Sequence, residues 1–229
     1  MTPRPIVDYL VARDGLPPAS GLAYDYVLAG NGLYLRCENE HLEVCIAIAS
    51  VEVRGLVEIV PFVRLKHGSL PSSLWERFVR LARAFAEHHA EVLAVVTYTP
   101  TFGYELRVPP QEVSVSRIVY KSLPRTVLEL HSHHGLSAYF STTDDADEVG
   151  LRLYGVVGRL DREVAEVRLR IGAYGYFQPV AFADVFAGEP IAFVDLSAVD
   201  AEGQQDASPD PVRGDLCPET RFHKEIGSD

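Results

Sequence analysis

Apolar and polar positions alternate in short runs through the first seventy residues, which is the period-2 signature of strands. Residues 24–28 form a mostly apolar run that stops at Ala29-Gly30-Asn31-Gly32, a strong turn signal. Segments 33–37 and 42–49, separated by the polar Glu38-Asn39-Glu40-His41, predict a hairpin whose buried face carries Leu42, Val44 and Ile46. Residues 56–65 predict a further strand ahead of a turn at Lys66-His67-Gly68. The period then changes. Leu74, Trp75, Phe78, Leu81, Ala82 and Phe85 fall on one helical stripe, predicting a helix over 74–89 that packs on a sheet or core. Pro71 precedes it, and Ser73 with Glu76 has capping-box spacing. Residues 92–98 are a β-branched run typical of a buried strand. Strands are also predicted over 113–120, 126–133, 164–171 and 174–182, with Val167, Leu169 and Ile171 alternating against Arg168 and Arg170. Between them, the polar stretch 141–148 leads into a helix start. From about residue 198 the chain turns polar and rich in Asp, Pro and Gly, as a loose tail would.

The 229 residues allow one substantial domain or two small ones, at roughly 100–200 residues each. A hydrophobic content of 47% suits a packed core and argues against wholesale disorder. No apolar run approaches the roughly 18 residues of a membrane helix, and the first residues lack the apolar core of a signal peptide. Cys37, Cys45 and Cys217 are too few and too scattered for a disulfide framework or a metal knuckle. These features read as a soluble cytoplasmic protein with no membrane partner. The net charge of −11 opposes nucleic-acid binding. It suits a basic protein partner better, or it does no more than keep the chain in solution.

The informative segment is Glu129-Leu130-His131-Ser132-His133, followed by Ser141-Thr142-Thr143-Asp144. Residues two apart on a strand share a face, so His131 and His133 can grip one ion together. Two imidazoles and a carboxylate are a common ligand set for catalytic zinc, with the fourth position left to water. Asp144 lies eleven residues past His133 and must be brought back by a turn. Its neighbours suit a loop that caps a helix.

The string His131-x-His133, seven residues, Ser141, two residues, Asp144 resembles the JAMM signature of the JAB/MPN metalloproteases, gap for gap. The strand Pro124-Arg125-Thr126-Val127-Leu128-Glu129 is also similar to that of bacterial members. The resemblance covers roughly residues 71–190. It implies an α/β fold of the MPN, cytidine-deaminase-like type: a curved mixed sheet with flanking helices. It also implies zinc at His131, His133 and Asp144, and a catalytic glutamate after the first helix. Glu91 stands in that context, about forty residues ahead of the histidines. In the family such a glutamate takes a proton from water and passes it to the leaving amine. The serine, here Ser141, stabilises the oxyanion. Many members carry proline after the second histidine, where this chain has His134. More distantly, the whole chain resembles JAB-domain proteins of bacterial PRTRC gene systems, through Gly30-Asn31-Gly32-Leu33 and Val53-Arg54-Gly55-Leu56. Those systems are associated with a ubiquitin-like protein, which implies a substrate.

Other His-x-His enzymes fit less well. The barrels of amidohydrolases and PHP-type phosphoesterases need roughly 200 residues or more, and only 96 follow His133. Gly135 and Leu136 replace the Asp and His of the metallo-β-lactamase pattern. The zinc-deaminase and HExxH signatures are absent. The bland alternative is two structural histidines beside a helix-capping Asp144. Glu129 shares the ligand face and could touch the metal or orient a ligand, or be a carboxylate that sits behind the ligands or at the surface. His134 should point away from that face. The expected organisation is a β-rich N-terminal module (1–70), a JAB/MPN metalloprotease domain (71–195) and a polar C-terminal tail (196–229). The expected activity is zinc-dependent hydrolysis of a peptide or isopeptide bond of a ubiquitin-like protein, with a catalytically silent MPN scaffold as the alternative.

Overall fold

The computed structural model describes residues 6–113, 118–188 and 190–197. The expected C-terminal tail therefore lies outside the described residues, apart from its first two positions. Strands β1 (Val7–Val11), β2 (Tyr24–Ala29), β3 (Gly32–Glu38), β4 (Leu42–Ser50) and β5 (Phe62–Leu65) form one sheet in sequence order. β1 and β2 run parallel and the other pairs antiparallel. The predicted hairpin is β3–β4. The strand expected over 56–65 is real only at its end, as β5. Upstream, Pro61 has no N–H to donate to a ladder. The backbone of Val57 is taken by Ala12 and by the Gly30 turn, at 3.0 and 2.7 Å.

After β6 (Leu70–Pro71) comes the amphipathic α1 (Ser72–Ala86), which buries Leu74, Trp75, Phe78, Val79 and Ala82. The expected Ser73–Glu76 cap does not form. The N-cap is Pro71, which makes no side-chain cap bond and is held instead in a short pairing with β15 (Phe186–Ala187). Tertiary pairing here overrides a local signal. The helix also stops at Ala86, short of the expected end at 89, and His89 turns the chain with a φ of 52°.

A second, mixed sheet has the order β14-β13-β12-β11-β7-β8. Its strands are β7 (Leu93–Thr99), β8 (Gly103–Arg107), β11 (Thr126–Ser132), β12 (Leu151–Gly158), β13 (Ala165–Ala173) and β14 (Tyr176–Pro179). A further strand, β16 (Phe193–Asp195), joins β13. Of the strand expected over 113–120, residues 114–117 lie outside the described residues; its end is β10 (Ile118–Tyr120), which pairs antiparallel with β9 (Gln111–Val113). The strand expected over 174–182 is only β14, after which Phe182–Val185 forms the one-turn α3. β11 lies parallel to β12 and antiparallel to β7. A parallel pair needs a crossover of a dozen or so residues. This one contains the short α2 (Thr142–Asp147). The described chain is thus α/β and mostly strand. Of the flanking helices expected, only α1 is long.

Strand alternation gives the mixed sheet two unlike faces. Ala94 and Val96, Leu128 and Leu130, Leu153 and Val157, and Val167, Leu169 and Ile171 meet α1 in one buried cluster. The same cluster takes in Leu35, Cys37, Leu42, Val44 and Ile46 from the N-terminal sheet. Each fully buried side chain such as Phe78 or Leu128 contributes roughly 2–3 kcal/mol. Gly155 permits close packing at this level, because a Cβ there would come within 2.6 Å of Leu130 and Leu169. The opposite face carries Glu129, His131, Tyr154 and Arg170. No described helix is long and apolar enough to cross a membrane.

Candidate metal centre

Strand geometry places the two histidines. Leu128, Leu130 and Ser132 of β11 point into the core, so Glu129 and His131 emerge on the other side. His133 follows the last β11 residue but still donates its N–H to Val157 O (2.8 Å), which continues the ladder and keeps it on the His131 face. The two imidazole centroids are 5.0 Å apart. Tyr139 packs edge-on against the His133 ring at 4.6 Å, and Phe140 stands 6.4 Å from that of His131.

Asp144 returns to this face on α2. Ser141 is the N-cap, and the two residues form a reciprocal capping box. Ser141 N and Oγ both donate to Asp144 Oδ2, at 2.6 and 2.7 Å, while Ser141 Oγ accepts from Asp144 N at 3.2 Å. One carboxylate oxygen is thus spent on the cap. The other, Oδ1, faces His131 Nε2 at 3.6 Å.

His131, His133 and Asp144 each offer a ligand atom, and the three atoms lie within 4.8 Å of one another. Tetrahedral zinc, with donors about 2.0–2.1 Å away, spaces them roughly 3.4 Å apart. Two buried nitrogens, His131 Nε2 and His133 Nδ1, have no hydrogen-bond partner. Orphaned buried polar atoms are costly, and a cation would satisfy both. Burial pushes the His131 imidazole down to about 4, against the pull of Asp144, so it is neutral and ligand-competent at neutral pH. The donor set and its geometry therefore fit a divalent metal, of which borderline zinc is one.

An open cavity of about 360 Å³ lies over this cluster, lined also by Glu91, Leu93, Tyr120, Glu129, Leu136 and Tyr139. Glu91 sits just before β7. Its neighbour Val92 exchanges hydrogen bonds with Ser132, at 3.0 Å to Oγ and 3.1 Å from the amide, which stitches this segment to the end of β11. Burial raises the Glu91 pKa, and the Asp144 charge adds to that, while His133 and His134 oppose it. The cavity thus brings together all five residues named from the sequence: Glu91, His131, His133, Ser141 and Asp144.

Glu129 is no surface carboxylate. It is buried, accepts from Tyr120 Oη at 2.6 Å and is paired with Arg152, so both its oxygens are occupied. His134 does not line the cavity. It sits in a turn with φ of 36°, a conformation that proline, locked near −65°, does not adopt. The sequence reading missed Arg170, Arg152, Tyr120 and Glu148. The signal for Arg170 was present in the alternation of β13, where the arginines occupy the face that β12 and β11 share with the ligands. In comparison with known proteins, no family model matches this chain, and no curated protein matches it.

Proposed function

We propose that the chain is a metal-dependent hydrolase of peptide or isopeptide bonds, a JAB/MPN-type zinc protease acting on a ubiquitin-like protein. The observation that carries this reading is the placement of Glu91 in one cavity with a compact His-His-Asp donor set whose two buried nitrogens have no other partner. His131, His133 and Asp144 would hold the ion. When bound, zinc lowers the pKa of water toward about 7. Glu91, with its pKa raised by burial, suits a group that first accepts a proton at its carboxylate and then delivers it to the departing nitrogen. Leu136 and Tyr139, partly exposed on the cavity wall, offer apolar contact to an extended substrate. Ser141 is the residue whose role departs from the family pattern. Its hydroxyl proton is given to Asp144, so it must rotate before it can serve an oxyanion.

That commitment of Ser141 favours a second reading: a metal-holding scaffold without turnover. One experiment separates them. Wild type and Glu91→Gln are incubated with a ubiquitin-like fusion, and zinc content is recorded for both. The protease reading expects cleavage by wild type alone, a loss of at least 100-fold in the variant, and equal zinc in each. Zinc in both proteins with no cleavage by wild type would leave the scaffold standing.

A further inference from the structure

α2 brings Asp144 to the site, yet none of its residues is buried. A six-residue helix is too short to persist by itself, and no apolar face anchors this one. Arg170, a buried residue of β13, grips it from outside the helix. Its guanidinium lies between two aromatic rings, 3.7 Å from the centroid of Phe140 and 3.9 Å from that of Phe177. Nη1 donates to Asp145 Oδ1 at 2.7 Å, and Nε donates to Glu148 Oε2 at 2.8 Å, with Nη2 2.6 Å from the same oxygen. Phe140 precedes the capping serine, Asp145 follows the metal-facing aspartate, and Glu148 is the helix C-cap, whose N–H reaches Asp144 O at 2.9 Å. The contacts of Arg170 therefore bracket Ser141–Asp144 on both sides. Arg170 itself does not line the cavity.

We infer that Arg170 is a positioning residue for the metal centre: its three-point grip on Phe140, Asp145 and Glu148 holds Asp144 Oδ1 at the spacing the two histidines require. This rests on the metal-site reading above. A planar fork is needed, because it stacks between rings and bonds two carboxylates at once, which a lysine ammonium cannot do. Groups that orient a ligand in this way are commonly worth 10–100-fold in metal affinity.

The test measures zinc dissociation constants by competition with a chromogenic chelator. It uses the full chain, stripped of metal, as wild type, Arg170→Lys and Asp145→Asn. Thermal unfolding is recorded for each. Arg170→Lys should bind zinc about 10–100-fold more weakly. Asp145→Asn removes the charge of one grip, whose carboxylate is 49% exposed, and should weaken binding about two- to fivefold. It also carries the test if the lysine variant does not fold. Variants that melt earlier but bind zinc as tightly as wild type would show that Arg170 is merely structural, and overturn the inference. Folded wild type that takes up no zinc would instead remove the metal centre itself.

Discussion

Acid should report on His131 directly. The imidazole is 15% exposed, and burial lowers its pKa from 6.5 to about 4, although Asp144 pulls the other way. A histidine with a depressed pKa binds fewer protons folded than unfolded. Its contribution to stability is therefore intact above pH 6.5 and is lost as the pH falls toward 4. The gap spans about 2.5 pH units, which at about 1.4 kcal/mol each gives ~3.5 kcal/mol. The solvent that still reaches the ring trims this to about 2–3 kcal/mol. The assay is urea unfolding of the metal-free chain at pH 7 and pH 4.5, for wild type and for His131→Asn, which cannot protonate. Wild type should lose about 2 kcal/mol more than the variant over that interval. Equal losses would refute the claim that this imidazole is held neutral. A neutral nitrogen also has no proton to shed when metal arrives, so His131 itself adds no proton release to zinc uptake at pH 6.

Ser141→Ala removes the acceptor of the Asp144 amide and one donor to its carboxylate. About 1 kcal/mol of stability should go with the cap, seen as a fall of about 2–4 °C in melting temperature, together with weaker zinc binding. An unchanged chelator titration would show that the cap does not orient the ligand. Gly158→Ala places a Cβ 2.4 Å from both Ala138 N and Leu136 O, backbone atoms of the loop that follows His133. That loop must move, at about 1–3 kcal/mol, and calorimetry should show a clear drop in melting temperature. An unaltered transition would mean the loop is not held where it is described.

The parts of the site that could be read in the sequence are those set by local geometry. His131 and His133 share a face because a strand has period 2, and the stripe from Leu74 to Phe85 locates α1 because a helix has period 3.6. The parts that could not be read depend on distant partners. Ser73 and Glu76 have the spacing of a cap, but Pro71 is already committed to pairing with Ala187. Residues 113–120 resemble a single strand, and only the fold shows Ile118–Tyr120 paired antiparallel with Gln111–Val113 and Tyr120 set against Glu129. The sequence brings Ser141 and Asp144 together at capping distance, and it cannot say that one carboxylate oxygen will be consumed by the cap. Arg170 was visible as a polar position on β13. That it clamps α2 follows from the crossover between parallel strands, which no periodicity announces.

The single apolar cluster shared by both sheets has a consequence for dynamics. Trp75 and Phe78 share it with Leu35 and Val44 of the N-terminal sheet and with Leu128 and Leu153 of the mixed sheet. Polar ties reinforce the junction, as Asn39 Nδ2 donates to Leu151 O at 3.0 Å and the Tyr26 and Tyr176 hydroxyls meet at 3.1 Å. Segments that share a core open together, in one cooperative event. A ligand bound only by the native state makes that event rarer by mass action. Hydrogen exchange at the amides of β3 and β4, in the other sheet, is therefore a remote gauge of whether the cavity is occupied.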